Sequence, residues 1–448
     1  MKLFEKLRRE YPEFIYESFS YEFDKRSLKI RFRFVQSEDI IFEPETIFEN
    51  CPDDFIPDEG LDAAVFSLGM IELVSYYKAC CSPRIVIKAG SLNSEQISFW
   101  KKIYFNGLGE FLYKNGIETD SENLFMIVSE GSKIYPRSEQ PMTDSSLIPV
   151  GGGKDSVVTL ELLKDTDAIP FILNAREASV QSVKNAGYSE YFHASRKIDP
   201  LLLRLNSQGF LNGHTPFSAL LSFNSSIAAL INRTKNIVLS NENSANEGNV
   251  RFSGIEVNHQ YSKSFAAEQE LHDYISKYVH PSLNYFSFLR PLHELKIAEL
   301  FSRFKGHYFS FRSCNAGSKT NIWCKKCPKC LFTYIILSPF IAKDDLVKIF
   351  GADLLNDISL EKIFLELCGF EGIKPFECVG TAEEVRAALG KTVTYCKEEN
   401  IPYLLALYSK KTAGTNGRDT YSFDKLLKSF SDENLLDRKF KGILLEAL

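Results

Sequence analysis

The alternation of apolar and polar positions predicts a mixed α/β organisation for the first third of the chain. Apolar residues occupy every second position over residues 28–34, which is typical of a half-buried strand, and the IIFEPE segment is its expected partner. Over residues 61–77 and 96–113 the apolar residues recur at helical spacing instead. With RIVIKAG between these helices and NLFMIVSE after them as further strands, residues 1–140 are expected to form a mixed α/β N-terminal domain of their own.

Short apolar strands alternate with helices from residue 147 onward. The strands are IPV, then IPFILN ending at Asn174, then NIVLS ending at Ser240. This alternation is typical of a parallel sheet with helices on both faces, so residues 141–312 are expected to form an α/β core. Because ligands of such sheets bind beyond the carboxyl ends of the strands, Asn174 and the loops 151–156 and 240–247 should lie along one edge.

The loop GGGKDS at residues 151–156 has the residue types of an ATP site. Its three successive glycines can adopt backbone angles closed to other residues, so that their amides converge on an anion. Lys154 adds a cation, and Asp155 and Ser156 can cap the helix that follows, which places its positive end at the phosphates. The residues expected to bind ATP are Gly151, Gly152, Gly153, Lys154, Asp155, Ser156, Asn174 and Ser240.

The spacing of this loop separates it from two commoner nucleotide-binding loops. It fits neither a Walker A pattern nor the GxGxxG dinucleotide fingerprint. It resembles the SGGxDS loop of the PP-loop ATP pyrophosphatases, with Gly151 in place of the first serine. That resemblance implies an adenine nucleotide alpha hydrolase-like core and reaction at the α-phosphate. A plain strand-to-helix turn is the alternative interpretation of the loop, and loop capping is the alternative for Asn174.

Carboxylates around the loop are candidates for a magnesium site. Asp155 lies in the loop, and Glu242 and Glu247 lie in LSNENSANEGN, a polar segment directly after an apolar strand. Mg²⁺ prefers carboxylate oxygens and keeps several waters, so these side chains and the ATP phosphates would complete its coordination shell. An ordinary solvated turn has the same composition and is the alternative.

Four of the ten cysteines cluster in SCNAGSKTNIWCKKCPKC. Cys314, Cys324, Cys327 and Cys330 include two overlapping CxxC turns, a spacing that lets a short knuckle present three thiolates while Cys314 completes a tetrahedron. We expect a structural zinc ion there. An iron–sulfur cluster is the alternative, because it also takes four thiolates. Residues 313–448 are then expected to be this knuckle followed by a helical C-terminal region.

Composition and charge argue against some classes of protein. The chain has 448 residues with a net charge of −5 and a pI near 5.9, so it lacks the basic footprint of a nucleic-acid-binding protein. The first segment, MKLFEKLRREYPEF, has no apolar stretch, and the longest apolar run, near residues 330–342, is too short for a bilayer. These features predict a cytoplasmic protein without nucleic-acid or membrane partners, and they leave the oligomeric state open.

Longer blocks along the chain carry a second resemblance. They are SLGMIELVSYYKA, KKIYFNGLGEFLYKNGI, PVGGGKDSVVTLELL, LNGHTPFSAL, LSNENSANEGN, VNHQYSKSFAAE, SCN with the cysteine knuckle, and KPFECVGTAEE. Together they resemble the ATP-dependent UDP-N-acetylmuramoyl-L-alanyl-L-glutamate epimerases of peptidoglycan precursor synthesis, over most of the chain. The resemblance implies inversion of the terminal L-glutamate of UDP-MurNAc-L-Ala-L-Glu to D-glutamate through an acyl-adenylate, with release of AMP and diphosphate.

Such an epimerisation needs a base that removes the Cα proton and an acid that returns it on the opposite face. The candidates are His214 in NGHTPF, His259 and Lys263 in NHQYSK, and Cys378 in PFECVG. Each has a second interpretation: the histidines as hydrogen-bonded structural residues, Lys263 as a partner of a substrate anion, and Cys378 as a buried thiol. A capping box in TAEE places Cys378 in the loop that enters a helix.

The diphosphate and carboxylates of that substrate also need cationic partners. Arginine suits both groups, because its planar fork donates two parallel hydrogen bonds. The arginines that flank the core motifs are Arg176, Arg196, Arg251 and Arg290.

Two other functions share the argument from the ATP loop. The first is another adenylating PP-loop enzyme, such as an amide ligase or a nitrile synthase, which needs an amine or ammonia for turnover. The second is a non-catalytic ATP-binding regulatory module, which would bind ATP without releasing pyrophosphate.

Overall fold

The computed structural model describes residues 2–317, 319–413 and 418–448, and its central feature is one eleven-stranded sheet beside a separate two-stranded hairpin. The strands are β1 (Glu13–Asp24), β2 (Ser27–Ser37), β3 (Ile40–Phe42), β4 (Glu45–Glu49), β5 (Arg84–Ile87), β6 (Met126–Ser129), β7 (Thr143–Pro149), β8 (Ala168–Leu173), β9 (Phe192–Lys197), β10 (Thr234–Leu239), β11 (Val250–Phe252), β12 (Ile255–Val257) and β13 (Asn284–Ser287). The helices are α1 (Leu3–Glu10), α2 (Leu61–Tyr77), α3 (Ser94–Gly107), α4 (Gly109–Lys114), α5 (Ser121–Leu124), α6 (Lys154–Leu163), α7 (Glu177–Asn185), α8 (Pro200–Ser207), α9 (Phe217–Asn232), α10 (Phe265–Tyr278), α11 (Glu294–Ser302), α12 (Pro328–Leu337), α13 (Lys343–Phe350), α14 (Glu361–Leu367), α15 (Ala382–Val393), α16 (Tyr403–Thr412), α17 (Arg418–Lys428) and α18 (Arg438–Ala447).

Five strands of the large sheet run parallel, in the spatial order β9-β8-β7-β10-β13. Counted along the chain from β7, this is the order 3-2-1-4-5, in which the direction of winding reverses between β7 and β10. The prediction of an α/β fold with a parallel sheet is confirmed. In doubly wound sheets a ligand crevice opens beyond the carboxyl ends of the strands where the winding reverses. The segments that follow β7 and β10 therefore flank that crevice.

The strands of the first 140 residues extend the same sheet. Strand β4 pairs antiparallel with β9, with Thr46 opposite Arg196 and Phe48 opposite Ala194. The sheet then continues through β2, β1, β5 and β6. Residues on both sides of the predicted boundary at 140 thus belong to one hydrogen-bonded sheet. A division into domains at residues 140 and 312 stays a prediction.

The central parallel strands β7 and β10 are buried on both faces over their carboxyl-terminal halves. Side chains alternate between the faces of a strand, and accordingly Leu147 and Ile237 belong to one hydrophobic cluster while their neighbours Ile148 and Val238 belong to another. Helices α2 and α9 contribute to the first cluster, and α6, α11 and α12 contribute to the second. Because both faces are covered, the strands are continuous apolar runs in the sequence.

The C-terminal helices pack on one face of this sheet and complete its core. Helices α12 to α16 and α18 supply residues of the second hydrophobic cluster, and the ring of Phe440 in α18 lies 4.7 Å from that of Phe286 in β13. The predicted helical character of this region is confirmed. Across the described residues, every helix falls short of the length or the apolar character that crossing a membrane requires.

Candidate functional site

The glycine loop lies at the carboxyl end of β7, where the winding of the sheet reverses. Gly152 has a φ of +82°, and a Cβ at this position would lie 2.6 Å from the backbone nitrogen of Ser179. Only glycine fits there, because the left-handed conformation and the close approach both disfavour a side chain. The backbone N–H of Arg312 donates to the carbonyl of Gly152 at 2.8 Å, so the loop is tied to the segment that leads into the cysteines.

The helix after this loop begins at Lys154, before both of the residues that were expected to cap it. Gly153 has extended backbone angles and is the N-cap of α6, without a side-chain cap, and Lys154 is the first helical residue. The expectation that Asp155 and Ser156 cap the helix is therefore wrong, since both lie inside its first turn. The Ser156 hydroxyl accepts from the N–H of Gly152 at 3.2 Å and donates to the carbonyl of Gly153 at 3.0 Å. These bonds stabilise the loop.

Lys154 is buried and paired with carboxylates of the protein. Its ammonium contacts carboxylate oxygens of Asp155 and Glu294, and its side chain is 3% exposed. Burial alone would lower the pKa of Lys154, but the two carboxylates raise it. The lysine is thus charged, and in this structure its charge neutralises the acidic side chains beside the loop.

An acidic cluster formed by Asp155, Glu242 and Glu294 lies at the start of α6. Each residue offers an oxygen within 4.8 Å of the others, and burial raises the pKa of Glu242 and of Glu294. This oxygen-rich donor set suits Mg²⁺, because a divalent cation would relieve the repulsion between the buried carboxylates. The predicted partner Glu247 lies outside the cluster, with its carboxylate 3.3 Å from the ammonium of Lys374. The turn at residues 243–246 separates Glu242 from Glu247 along the chain.

Glu294 is the member of this cluster that the sequence reasoning missed. It is the first residue of α11, after the fifth parallel strand, 140 residues from Lys154. The sequence offered one signal for Glu294, because it is an acidic residue in the first turn of a helix that follows a core strand. Acidic residues also occur at ordinary helix starts, so this signal was not specific.

Asn174 and Ser240 lie at the expected strand ends, with their side chains in hydrogen bonds to the protein. Asn174 has a φ of +57°, and its side-chain oxygen accepts from the N–H of Arg196 at 2.8 Å. The hydroxyl of Ser240 donates to that of Thr159 at 2.8 Å. Their contact with a nucleotide stays a prediction.

The four residues proposed for proton transfer lie together, and Glu110 of α4 joins them; we call this group the thiol site. Nδ1 of His259 lies 2.5 Å from a carboxylate oxygen of Glu110, and Nδ1 of His214 lies 3.4 Å from the same oxygen. Cys378 interacts electrostatically with His259 and with Lys263, and it raises the pKa of both. Their sequence positions gave no indication of this proximity, because the residues come from four separate segments.

The charges in the thiol site are strongly coupled. Burial alone would raise the pKa of Cys378, but Lys263, Lys329 and His259 hold it well below the ordinary value of a thiol. Burial alone would lower the pKa of His259, but Cys378 and Glu110 raise it to about 9. These interactions therefore favour a thiolate beside an imidazolium.

His214 titrates in the opposite direction from His259. Burial and the neighbouring positive charge of His259 lower the pKa of His214 to about 4, against the attraction of Glu110. His214 is consequently neutral at pH 7. The two imidazoles, whose ring centres are 4.4 Å apart, differ in charge at that pH.

Lys263 connects the thiol site to the acidic cluster. Burial alone would lower the pKa of Lys263, but Cys378, Glu242 and Asp155 raise it. Its main-chain oxygen accepts a 2.5 Å hydrogen bond from Arg290. The main-chain oxygen of Glu242 accepts from the same guanidinium at 2.5 Å, so Arg290 joins a segment of the thiol site to a segment of the acidic cluster.

The loop that carries Cys378 is held at both ends. Asn249 donates to the carbonyl of Pro375 at 2.8 Å and accepts from the N–H of His259 at 2.8 Å. On the other side, the predicted capping box of α15 is confirmed, since Thr381 accepts from Glu384 N–H and Glu384 accepts from Thr381 N–H. Both contacts fix Cys378 relative to the rest of the site.

The four clustered cysteines have the geometry of a tetrahedral metal site. Sulfur–sulfur distances are 3.8 Å for Cys314 and Cys327, 3.7 Å for Cys324 and Cys330, and 3.5 Å for Cys327 and Cys330. Four sulfurs bound to one zinc ion at about 2.3 Å lie about 3.8 Å apart. All four thiols are free of disulfides, so the residues present fit a zinc ion.

Two of the candidate arginines bind other parts of the protein. Arg196 makes a bidentate pair with Glu72, at 2.7 and 2.8 Å. Arg290, fully buried, binds Glu268 and the main-chain oxygens of Glu242 and Lys263. Both side chains are therefore engaged inside the protein, and that of Arg290 joins two segments of the site. Arg176 is the N-cap of α7, and Arg251 is exposed on β11.

The fold and the site define an α/β protein of the doubly wound type, with buried titratable groups gathered beyond the carboxyl ends of its parallel strands. A family model described as the MurL N-terminal domain matches residues 5–288, and one described as the MurL C-terminal domain matches residues 310–420. The chain belongs to the MurL family. The family resemblance of the sequence blocks is thereby confirmed.

Curated relatives of the chain share one name, UDP-N-acetyl-alpha-D-muramoyl-L-alanyl-L-glutamate epimerase. The protein of a Micromonospora species is 38% identical over 360 residues, which are 77% of this chain and 80% of the relative. That of Xanthomonas oryzae pv. oryzae is 36% identical over 349 residues, 74% of each chain. That of Salinispora tropica is 37% identical over 328 residues, 72% of this chain and 71% of the relative. No solved structure shows a significant match.

Proposed function

We propose that this chain is an ATP-dependent epimerase that inverts the terminal L-glutamate of UDP-MurNAc-L-Ala-L-Glu to D-glutamate in peptidoglycan precursor synthesis. The shared name of its relatives supports the substrate and the reaction. The observation that carries the proposal is that Arg290 binds the main-chain oxygens of Lys263 in the thiol site and of Glu242 in the acidic cluster, each at 2.5 Å. The charges of Cys378, Asp155 and Glu242 also raise the pKa of Lys263. Groups suited to proton transfer thus adjoin the loop suited to a nucleotide.

The proposed ATP site is the crevice between β7 and β10. Its support is the glycine loop at the point where the winding reverses, which is where doubly wound sheets bind nucleotides. The first turn of α6 presents backbone N–H groups and the positive end of the helix to an anion. In this proposal the core is of the PP-loop type, and the acidic cluster holds Mg²⁺. The use of ATP agrees with the predicted cytoplasmic location.

Adenylation explains why an epimerase would consume ATP. A carboxylate makes the neighbouring Cα–H a very poor acid, because deprotonation would place negative charge beside an anion. Attack of the glutamate carboxylate on the α-phosphate of ATP forms an acyl-adenylate and releases pyrophosphate. The neutral acyl group then accepts the electron pair of the broken C–H bond as an enolate. Reprotonation on the opposite face and hydrolysis give the D-epimer and AMP.

The thiol site supplies the proton-transfer groups in this scheme. The thiolate of Cys378 is the base best suited to accept the Cα proton, since Lys263, Lys329 and His259 lower the pKa of this thiol. His259 and Lys263 are cations that can donate a proton or stabilise the developing negative charge, and His214 is a neutral imidazole that can accept one. The cysteine cluster holds a structural zinc ion that shapes the adjoining loop.

The test is pyrophosphate release from ATP and Mg²⁺ with UDP-MurNAc-L-Ala-L-Glu, followed by chiral analysis of the glutamate after acid hydrolysis. Pyrophosphate together with D-glutamate is the expected result. The matched control replaces ATP by α,β-methylene-ATP, whose bridging carbon blocks release of pyrophosphate, and should give only L-glutamate. Retention of L-glutamate by a folded, ATP-binding protein would overturn the proposal.

The same assay separates the competing functions. Pyrophosphate release that requires added ammonia or an amine, with the glutamate configuration unchanged, would assign an amide ligase or a nitrile synthase. Binding of ATP without pyrophosphate release from any of these mixtures would favour a regulatory module.

A further inference from the structure

Glu110 is a buried carboxylate that neither the sequence motifs nor the names of the relatives single out. Its side chain is 5% exposed, and it lies in α4, between Gly109 and Phe111. A carboxylate removed from water is costly unless it is paired. Its partners are His259, His214 and Lys114, two of which belong to the thiol site.

The backbone brings α4 directly against the two histidine segments. A Cβ on Gly109 would lie 3.3 Å from Val257, two residues before His259. A Cβ on Gly213, which precedes His214, would lie 3.1 Å from the ring of Phe111. These small residues allow the close contact that puts the Glu110 carboxylate within reach of both imidazoles.

The hydrogen bonds around His259 fix the direction of its ring. Nδ1 faces Glu110 at 2.5 Å, and the backbone N–H donates to Asn249 at 2.8 Å. Cys378 interacts with the same imidazole and, like Glu110, raises its pKa. The arrangement is carboxylate, imidazole, thiol, and the same carboxylate also contacts His214 and Lys114.

We propose that Glu110 is a positioning residue, which orients His259 and keeps it charged so that Cys378 is held as the thiolate that accepts the Cα proton. This inference rests on the proposed function for the identity of the substrate. In the deprotonation step, the Cα–H bond of the activated glutamate breaks and an S–H bond forms on Cys378. The electron pair of the broken bond moves to the acyl oxygen. Glu110 itself exchanges no proton with the substrate.

The charges of the neighbouring groups agree with this role. Burial alone would raise the pKa of Glu110, but His259, Lys114 and His214 lower it to about 2, so it is ionised throughout the neutral range. The same carboxylate lies 3.4 Å from His214, whose pKa falls to about 4. Glu110 therefore stabilises the positive charge of His259, whereas His214 is neutral at pH 7.

Other charged groups also interact with Cys378 and His214, and a test of Glu110 must leave those side chains unchanged. Lys263 and Lys329 attract the Cys378 thiolate, and burial raises the pKa of Glu377, the residue next to Cys378. Lys78, on the other side, contacts the carbonyl of Gly213 at 2.5 Å and repels a proton on His214. Variants of Glu110 leave all of these side chains in place.

The experiment titrates the Cys378 thiolate by its ultraviolet absorbance in the full-length protein, with Cys378→Ala subtracted to remove the other cysteines. Glu110→Gln should raise the apparent pKa of Cys378 by about one unit or more, because the imidazolium loses its carboxylate. Glu110→Asp should restore most of the shift. The same Glu110→Gln variant should lower kcat about 100-fold at neutral pH with the KM for ATP unchanged, and the loss should shrink at higher pH.

Glu161→Gln is the matched control, since Glu161 also pairs with a buried histidine, His307 at 2.7 Å, outside the thiol site. It should leave the Cys378 titration unchanged. An unaltered titration in folded Glu110→Gln would overturn the proposal. So would loss of a bound divalent ion from Glu110→Gln alone, which would make Glu110, His214 and His259 a metal site. The titration needs neither ATP nor the sugar peptide, so a failure of this proposal can be distinguished from a failure of the proposed epimerase function.

Discussion

Asn315 donates a 2.7 Å hydrogen bond to the carboxylate of Glu377, and this bond joins the cysteine cluster to the loop that carries Cys378. Asn315 follows Cys314, and Glu377 precedes Cys378. A second interaction also joins these two segments. Lys329, between Cys327 and Cys330, attracts the Cys378 thiolate electrostatically. The cysteine cluster therefore supports the thiol site as well as its own segment.

Asn315→Ala removes the support of Glu377 without touching a cysteine. We expect kcat to fall about tenfold, the effect of one hydrogen bond to a charged group, because Cys378 is then positioned less well. The KM for ATP and the metal content should not change. Asn185→Ala, which removes hydrogen bonds to Gly306 and Ser310, is the control and should retain full activity. Equal activity of both variants would contradict the prediction.

Metal analysis tests the cysteine cluster itself. The protein should contain one zinc ion per chain, and Cys327→Ser should lose it, because three thiolates hold zinc much more weakly than four. Cys396→Ser, outside the cluster, should keep the ion. Iron and sulfide in the purified protein, in place of zinc, would favour the iron–sulfur alternative.

Gly152→Ala tests the backbone of the glycine loop. The φ of +82° and the 2.6 Å approach to Ser179 predict a loss of about 2 kcal/mol in the free energy of unfolding. Gly151→Ala is the matched control, since a Cβ at Gly151 meets nothing within 4 Å. Urea unfolding of the two variants measures the difference. Equal stability would show that the loop relaxes around the added methyl group.

Glu294→Gln tests the acidic cluster. Loss of one carboxylate from Asp155, Glu242 and Glu294 should raise the Mg²⁺ concentration needed for half-maximal activity about tenfold. Glu247→Gln should leave this concentration unchanged, because Glu247 pairs with Lys374 outside the cluster. The measurement is a Mg²⁺ titration at saturating ATP. An equal shift in both variants would place the metal elsewhere.

The raised pKa of His259 predicts a pH dependence of stability. A histidine whose pKa rises from 6.5 to about 9 on folding stabilises the protein fully below pH 6.5, and this contribution is lost as the pH rises through 9. The lowered pKa of Cys378 has the opposite effect over the same pH range, so the comparison is made in the Cys378→Ala protein. In that background His259→Gln should flatten the decline in the free energy of unfolding between these pH values, which amounts to at most about 3 kcal/mol. His214 has a lowered pKa and contributes nothing above pH 6.5, so His214→Gln should keep the decline. Urea unfolding from pH 6 to 9.5 measures both. The same decline in His259→Gln would contradict the assignment of charge.

Local patterns in the sequence determined the features that depend on neighbouring residues. The apolar runs of β7, β8 and β10 predicted parallel strands, because a strand buried on both faces has no polar alternation. The spacing of the four cysteines predicted their cluster, since three of them lie in consecutive short turns. The capping box at Thr381 and Glu384 is likewise confined to one turn.

Only the tertiary structure decided which distant side chains meet. Glu110 and His259 are 149 residues apart, and Lys154 and Glu294 are 140 apart, so neither contact leaves a periodic signal in the sequence. The pairing of β4 with β9, which makes one sheet of both halves, has the same origin. Four candidate proton-transfer residues were predicted from their types and surroundings, but their charges depend on burial and on each other. Burial and distance are properties of the folded chain, and they turned four candidates into one coupled site.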